Sequence, residues 1–160
     1  PLLVRLTGEV CDAESEQELV LRGKAPNWEN AVSIARRKTG ALFAFAAGAC
    51  GGPDATLTAT LTESGYAVGT AYQLADDILD ATGNEQSSGK SMGSDEARGK
   101  TTAATLTPAE QAEAIQFVEQ LCQQSEQPLA AWPAVLGAWQ SFMQTDMRPA
   151  LKKNLAFAAK

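Results

Sequence analysis

Gln73, Asp76, Asp77 and Asp80 hold the densest potential chemistry in this 160-residue chain. On a helix they recur at spacings of three and four, so their side chains form one ridge, near the carboxyl-terminal end of the helix that the flanking pattern predicts. Three carboxylates within a turn repel one another, and the helix dipole disfavours anions at that end, each placement costing roughly a few tenths to 1 kcal/mol. A cation is expected to compensate. Magnesium suits the donor set, because a hard ion takes one or two carboxylates and completes its octahedron with water and phosphate oxygens. Asp76, Asp77 and Asp80 are therefore the candidate metal ligands, and a diphosphate is the implied ligand. Lys38, Lys90 and Lys100 supply ammonium groups that, with magnesium, would neutralise a diphosphate leaving group.

Each of these features has a plainer reading. Asp-Asp-x-x-Asp also occurs at solvated helix ends, a lysine on an apolar stripe can snorkel its charge outward, and two loop lysines can be simple surface charges. The apolar context separates the readings. Ala71, Leu74, Ala75, Ile78 and Leu79 interleave with the acids, so a helix packed in a bundle turns part of the ridge inward, as in other carboxylate-metal bundles.

The elements that must position these groups follow from periodicity. Residues 2–12 predict a helix, followed by an acidic run at 14–18 and a basic, Gly- and Pro-containing connection ending at Asn27. From Trp28, the positions Ala31, Ile34, Ala35, Leu42, Phe45, Ala46 and Ala49 recur at three and four, with Lys38 on the same face. That helix is expected to stop within 48–53, where glycine gives left-handed geometry and proline ends the ladder. A second long helix is predicted over about 56–81, with Gly65 and Gly69 small enough for a neighbouring backbone to come close. Residues 82–100 lose apolar periodicity and gain Gly, Ser and Lys, which predicts a loop with polar work to do. Thr107-Pro108-Ala109-Glu110 predicts a helix opening with threonine as cap, proline first and glutamate third, the helix running to about 124. Residues 129–145 and 147–158 predict two more helical segments, with Pro133 and Pro149 as kink or first-turn residues.

Composition agrees. Alanine supplies 29 residues while valine and isoleucine together supply 10, so helices are favoured over an extensive sheet. The expected fold class is all-α, as a single helical domain over 1–160. A net charge of −6 lacks the basic footprint of nucleic-acid binding. The three cysteines form no CxxC pair and there is no histidine, which excludes Ser-His-Asp and Cys-His machinery and fits a reducing, cytoplasmic location. The uncharged stretch 39–53 is short of the roughly 20 residues a membrane span needs and predicts a buried helix instead. No secretory signal is visible at the amino terminus, and the abrupt start is that expected of a fragment.

Four linked motifs then become recognisable: Lys38-Thr39-Gly40-Ala41-Leu42-Phe43; Tyr72-Gln73-x-x-Asp76-Asp77-x-x-Asp80; Gly89-Lys90-x-x-Gly93-x-Asp95; and Gly99-Lys100-Thr101-Thr102. In order and spacing the chain resembles the carboxyl-terminal half of the trans-isoprenyl diphosphate synthases, the polyprenyl synthetase family, and its short-chain bacterial members above all. Gly8-Glu9-x-x-Asp12 is similar to that family's Gly-Gln-x-x-Asp helix, with glutamate in place of glutamine.

The resemblance implies an isoprenoid-synthase helical bundle and a magnesium-dependent prenyltransferase that condenses isopentenyl diphosphate with an allylic diphosphate. It implies that Asp76, Asp77 and Asp80 are the second aspartate-rich motif, with Asp76 as the direct ligand. It implies that Lys38 and Lys90 bind diphosphate, that Lys100 sits on a closing loop, and that Thr39 and Gln73 lie beside the reacting carbons. The family's first aspartate-rich motif has no counterpart here. Activity is therefore expected only with a homo- or hetero-oligomeric partner, or a missing segment, that supplies it; the alternative is a non-catalytic regulatory or binding subunit.

Overall fold

The computed structural model describes residues 1–24, 27–82 and 107–156, and among them every regular element is helical. Helix α1 (Leu2–Glu16) runs on into a π turn at Gln17–Leu21, so the acidic run is helical. Helix α2 (Trp28–Ala35), a second π turn (Arg36–Gly40) and α3 (Ala41–Ala49) form one rod. Asn27 caps it, its side chain accepting from the Asn30 N–H at 3.0 Å. After a short turn comes α4 (Ala55–Thr82), started by Asp54, whose Oδ1 accepts from the N–H groups of Thr56 and Leu57. The carboxyl-terminal part comprises α5 (Pro108–Glu126), a 3-10 turn (Gln127–Ala131), α6 (Pro133–Phe142), a third π turn (Met143–Met147) and α7 (Arg148–Ala156).

Local chemistry accounts for the boundaries. The α3–α4 turn uses Gly52 at φ +60°, a left-handed geometry that costs glycine little. Thr107 and Glu110 form the reciprocal capping box that opens α5, with proline in its first turn. Pro133 likewise opens α6, whereas Pro149 falls in the first turn of α7, directly after a π turn.

Helix α4 is the axis. Val68, Ala71, Leu74 and Ala75 share one core cluster with Ala35, Val118, Cys122, Met143, Met147 and Leu151. The α3–α4 contact is close because glycine lines it: a Cβ built on Gly65 would lie 2.5 Å from the Phe43 carbonyl and 2.7 Å from the Ala44 Cα. The expectation for Gly65 and Gly69 is met. Helix α1 lies across this pair, with Leu6 packed on Ala41, Ala44 and Tyr66.

The Arg36–Gly40 π turn corrects the sequence reading of this rod. An unbroken α-helix would carry the buried stripe from Ala35 to Leu42, Ala46 and Ala49. A π turn inserts one residue and rotates the helix beyond it. The face that meets α4 therefore moves to Gly40, Phe43, Ala44 and Gly48, while Leu42 is 60% exposed and Ala46 and Ala49 are also exposed. Residues 39–53 are accordingly buried on one face only. Leu3, Val4, Leu19 and Val20 add exposed apolar surface on α1 and its π turn. Among the described residues no helix is long and apolar enough to cross a membrane.

Candidate functional site

The site begins where α3 leans against the second half of α4. The Thr39 hydroxyl donates to Gln73 Oε1 at 2.5 Å, and the Gln73 amide donates through Nε2 to Asp77 Oδ1 at 2.8 Å. This gives a one-way ladder, hydroxyl to amide to carboxylate. It ties the Lys-Thr-Gly segment to the aspartate ridge, and Thr39, Gln73, Asp76 and Asp77 are all partly buried. An ionised carboxylate offers about four acceptor directions, and the amide orients Asp77 through one of them.

Leu74, Ala75, Ile78 and Leu79 are buried around the ridge, so the amphipathic reading of this helix holds. Among the described residues no group of three metal-ligating side chains stands assembled; the Asp80 side chain, which would be the third, lies outside them, as do Lys90 and Lys100.

Lys38 takes a different direction. The π turn carries its side chain toward α1, where Nζ donates to Gln17 Oε1 at 2.9 Å and pairs with Glu14 at 2.5 Å. Its neighbour Arg37 pairs with Glu16 at 2.6 Å. The Arg36–Gly40 π turn thus meets the last turn of α1 through charge. Sequence reasoning did not find these partners, although the signal was present: an acidic run at 14–18 and the basic triplet Arg36-Arg37-Lys38.

A second polar cluster fixes α1 on α4. The buried Tyr66 hydroxyl donates to Glu9, which also takes Arg5 at 2.5 Å. Burial pushes the Tyr66 phenol up from its ordinary value, and the bond to Glu9 adds to this. The Arg36 guanidinium lies 4.0 Å above the Tyr66 ring and pairs with Glu63 at 2.8 Å. Glu9, the residue that departs from the family's Gly-Gln-x-x-Asp pattern, is thus engaged with Arg5 and Tyr66, while Asp12 is exposed.

Comparison with known proteins gives the family. The polyprenyl synthetase model matches residues 3–136. The chain is 38% identical over 104 residues to a farnesyl diphosphate synthase of Geobacillus stearothermophilus, covering 63% of this chain and 33% of that one. It is 34% identical over 131 residues to the farnesyl diphosphate synthase of Escherichia coli, covering 74% and 42% respectively. A third relative is heptaprenyl diphosphate synthase component 2 of Bacillus subtilis, 37% identical over 101 residues, covering 61% and 29%. The fold matches a crystal structure of polyprenyl synthase from Caulobacter crescentus with a TM-score of 0.57 at 23% identity, covering 98% of this chain and 57% of that one. The chain spans about a third of the length of the first curated relatives it matches.

Proposed function

Because the chain belongs to the polyprenyl synthetase family, whose curated relatives here are prenyl diphosphate synthases, we propose that it carries the allylic-diphosphate side of a magnesium-dependent prenyltransferase. Its activity requires a segment or partner bearing the first aspartate-rich motif. The observation that supports this most directly is the Thr39–Gln73–Asp77 ladder: two motifs remote in sequence converge on one half-buried polar seam.

In this reading Asp76, Asp77 and Asp80 hold magnesium, which supplies charge to stabilise a departing diphosphate. The donor set fits, being all carboxylate oxygen. Lys38, Lys90 and Lys100 bind the diphosphate oxygens. Thr39 and Gln73 present fixed dipoles beside the carbon that loses its C–O bond. The double bond of isopentenyl diphosphate attacks that carbon, forming the new C–C bond, and the released diphosphate accepts the proton that the product cation loses. The Caulobacter polyprenyl synthase, described as complexed with calcium and isoprenyl diphosphate, supports a divalent ion with a diphosphate. The "component 2" of the Bacillus heptaprenyl enzyme supports a partner subunit.

Calorimetry with geranyl diphosphate and magnesium tests the binding half: the native chain binds, and Asp76→Ala loses most of the affinity. Turnover with isopentenyl diphosphate is expected only when a polypeptide carrying the first motif is added. Binding without turnover in any such mixture would assign the chain to the non-catalytic subunit class. Absence of magnesium-dependent binding would end both readings.

A further inference from the structure

We infer that Glu14 sets how tightly this site takes a diphosphate, by competing with the ligand for the Lys38 ammonium. The inference rests on the proposed function for what Lys38 binds, and on geometry for the rest. Lys38 has two partners on the neighbouring helix, the Gln17 amide oxygen at 2.9 Å and the Glu14 carboxylate at 2.5 Å. Gln17 is only 5% exposed and neutral, so it anchors the lysine without opposing an anion. Glu14 is different in kind. Its side chain is 47% exposed and that of Lys38 26%, so the pair is cheap to break, as solvent-screened pairs are. An arriving diphosphate brings more charge than one carboxylate and takes the ammonium donor that Glu14 held, while Gln17 keeps another. The exchange costs the Lys38–Glu14 pair, which lowers affinity and favours ligands charged enough to win.

The neighbouring pair provides a built-in control. Glu16 carries the same charge two residues away on the same helix but is paired with Arg37 at 2.6 Å. Substituting it changes the field by a similar amount without releasing Lys38.

The test is calorimetric titration of the full chain with inorganic pyrophosphate in excess magnesium, at low and at high salt. Glu14→Gln is expected to tighten binding about two- to fivefold at low salt, with the gain shrinking as salt screens it. Glu16→Gln is expected to do much less, and Glu14→Gln in a Lys38→Met background to give little gain. An equal gain from Glu16→Gln, an undiminished gain without Lys38, or no gain at all overturns the competition. The Lys38 side-chain carbon resonances, followed with no ligand present, keep the two levels apart. If they move on Glu14→Gln while the native chain binds no pyrophosphate, the ion pair exists but the prenyltransferase reading fails and the competition fails with it. If pyrophosphate binds but those resonances do not move, the function stands and the role of Glu14 falls.

Discussion

Thr39 and Gln73, 34 positions apart, are joined side chain to side chain where the Arg36–Gly40 π turn meets α4, and that bond decides which way the Gln73 amide faces. Its oxygen turns to the hydroxyl and its nitrogen to Asp77. Thr39→Val keeps the shape but leaves a half-buried amide oxygen without its donor, and is expected to cost about 1 kcal/mol. Thr39→Ser, which keeps the hydroxyl, should recover most of that in urea unfolding. Equal losses for the two variants would mean that the bond contributes nothing.

The π turn makes a prediction that an unbroken helix reverses. Leu42→Gln, at an exposed position, should change stability by less than about 0.5 kcal/mol. Ala44→Gln, fully buried against Leu6 and Tyr66, should lose about 2 kcal/mol or more by crowding and by burying an amide. Chemical denaturation of the pair reads the helix phase directly.

At Gly65 a single methyl group suffices to disturb the contact. Its Cβ would meet backbone, at 2.5 Å from the Phe43 carbonyl and 2.7 Å from the Ala44 Cα, and backbone cannot swing aside as a flexible side chain can. Gly65→Ala is expected to destabilise by about 1–3 kcal/mol even though alanine is the better helix former. Thermal unfolding would show the sign, and a stabilised variant would contradict the close approach.

The α5 cap carries a pH dependence. Hydrogen bonds from the Thr107 side chain and backbone hold the Glu110 carboxyl below its ordinary 4.5. A lowered folded-state value means that the stabilisation is complete above about pH 4.5 and is lost as pH falls through the folded value. Thr107→Ala should cost about 1 kcal/mol at neutral pH through loss of the cap, with a gentler acid slope than the native chain. Helicity followed by circular dichroism during acid titration measures both.

Burial pushes the Cys122 thiol up to about 11, while Cys11 and Cys50 are exposed. Two thiols should therefore react with a disulfide reagent in the native chain at neutral pH, and the third only on unfolding. Because the folded value lies above the ordinary 9.0, the associated stability is complete below about pH 9 and declines as pH rises toward 11. Rapid native reaction of three thiols would refute the buried assignment.

The sequence made legible whatever depends on period and local chemistry. The Thr107 cap, the extent of α4, the glycine contact at Gly65 and the partial burial of Asp76 and Asp77 all follow from residue type and spacing. The phase of α3 does not, because a one-residue insertion leaves no compositional mark and Leu42 looks as apolar as any core residue. The same insertion sends Lys38 to α1 while Thr39 faces Gln73. Neighbours in sequence thus report to different helices, which no reading of one smooth stripe could anticipate.

The tight link between α3 and α4, with Gly52 at its corner, has a topological consequence. Thr39, Gln73 and Asp77 all belong to this one helical hairpin, so the two bonds of the ladder close within a single supersecondary unit. The polar seam is in that sense modular: both of its bonds are made between residues of one helix–turn–helix unit.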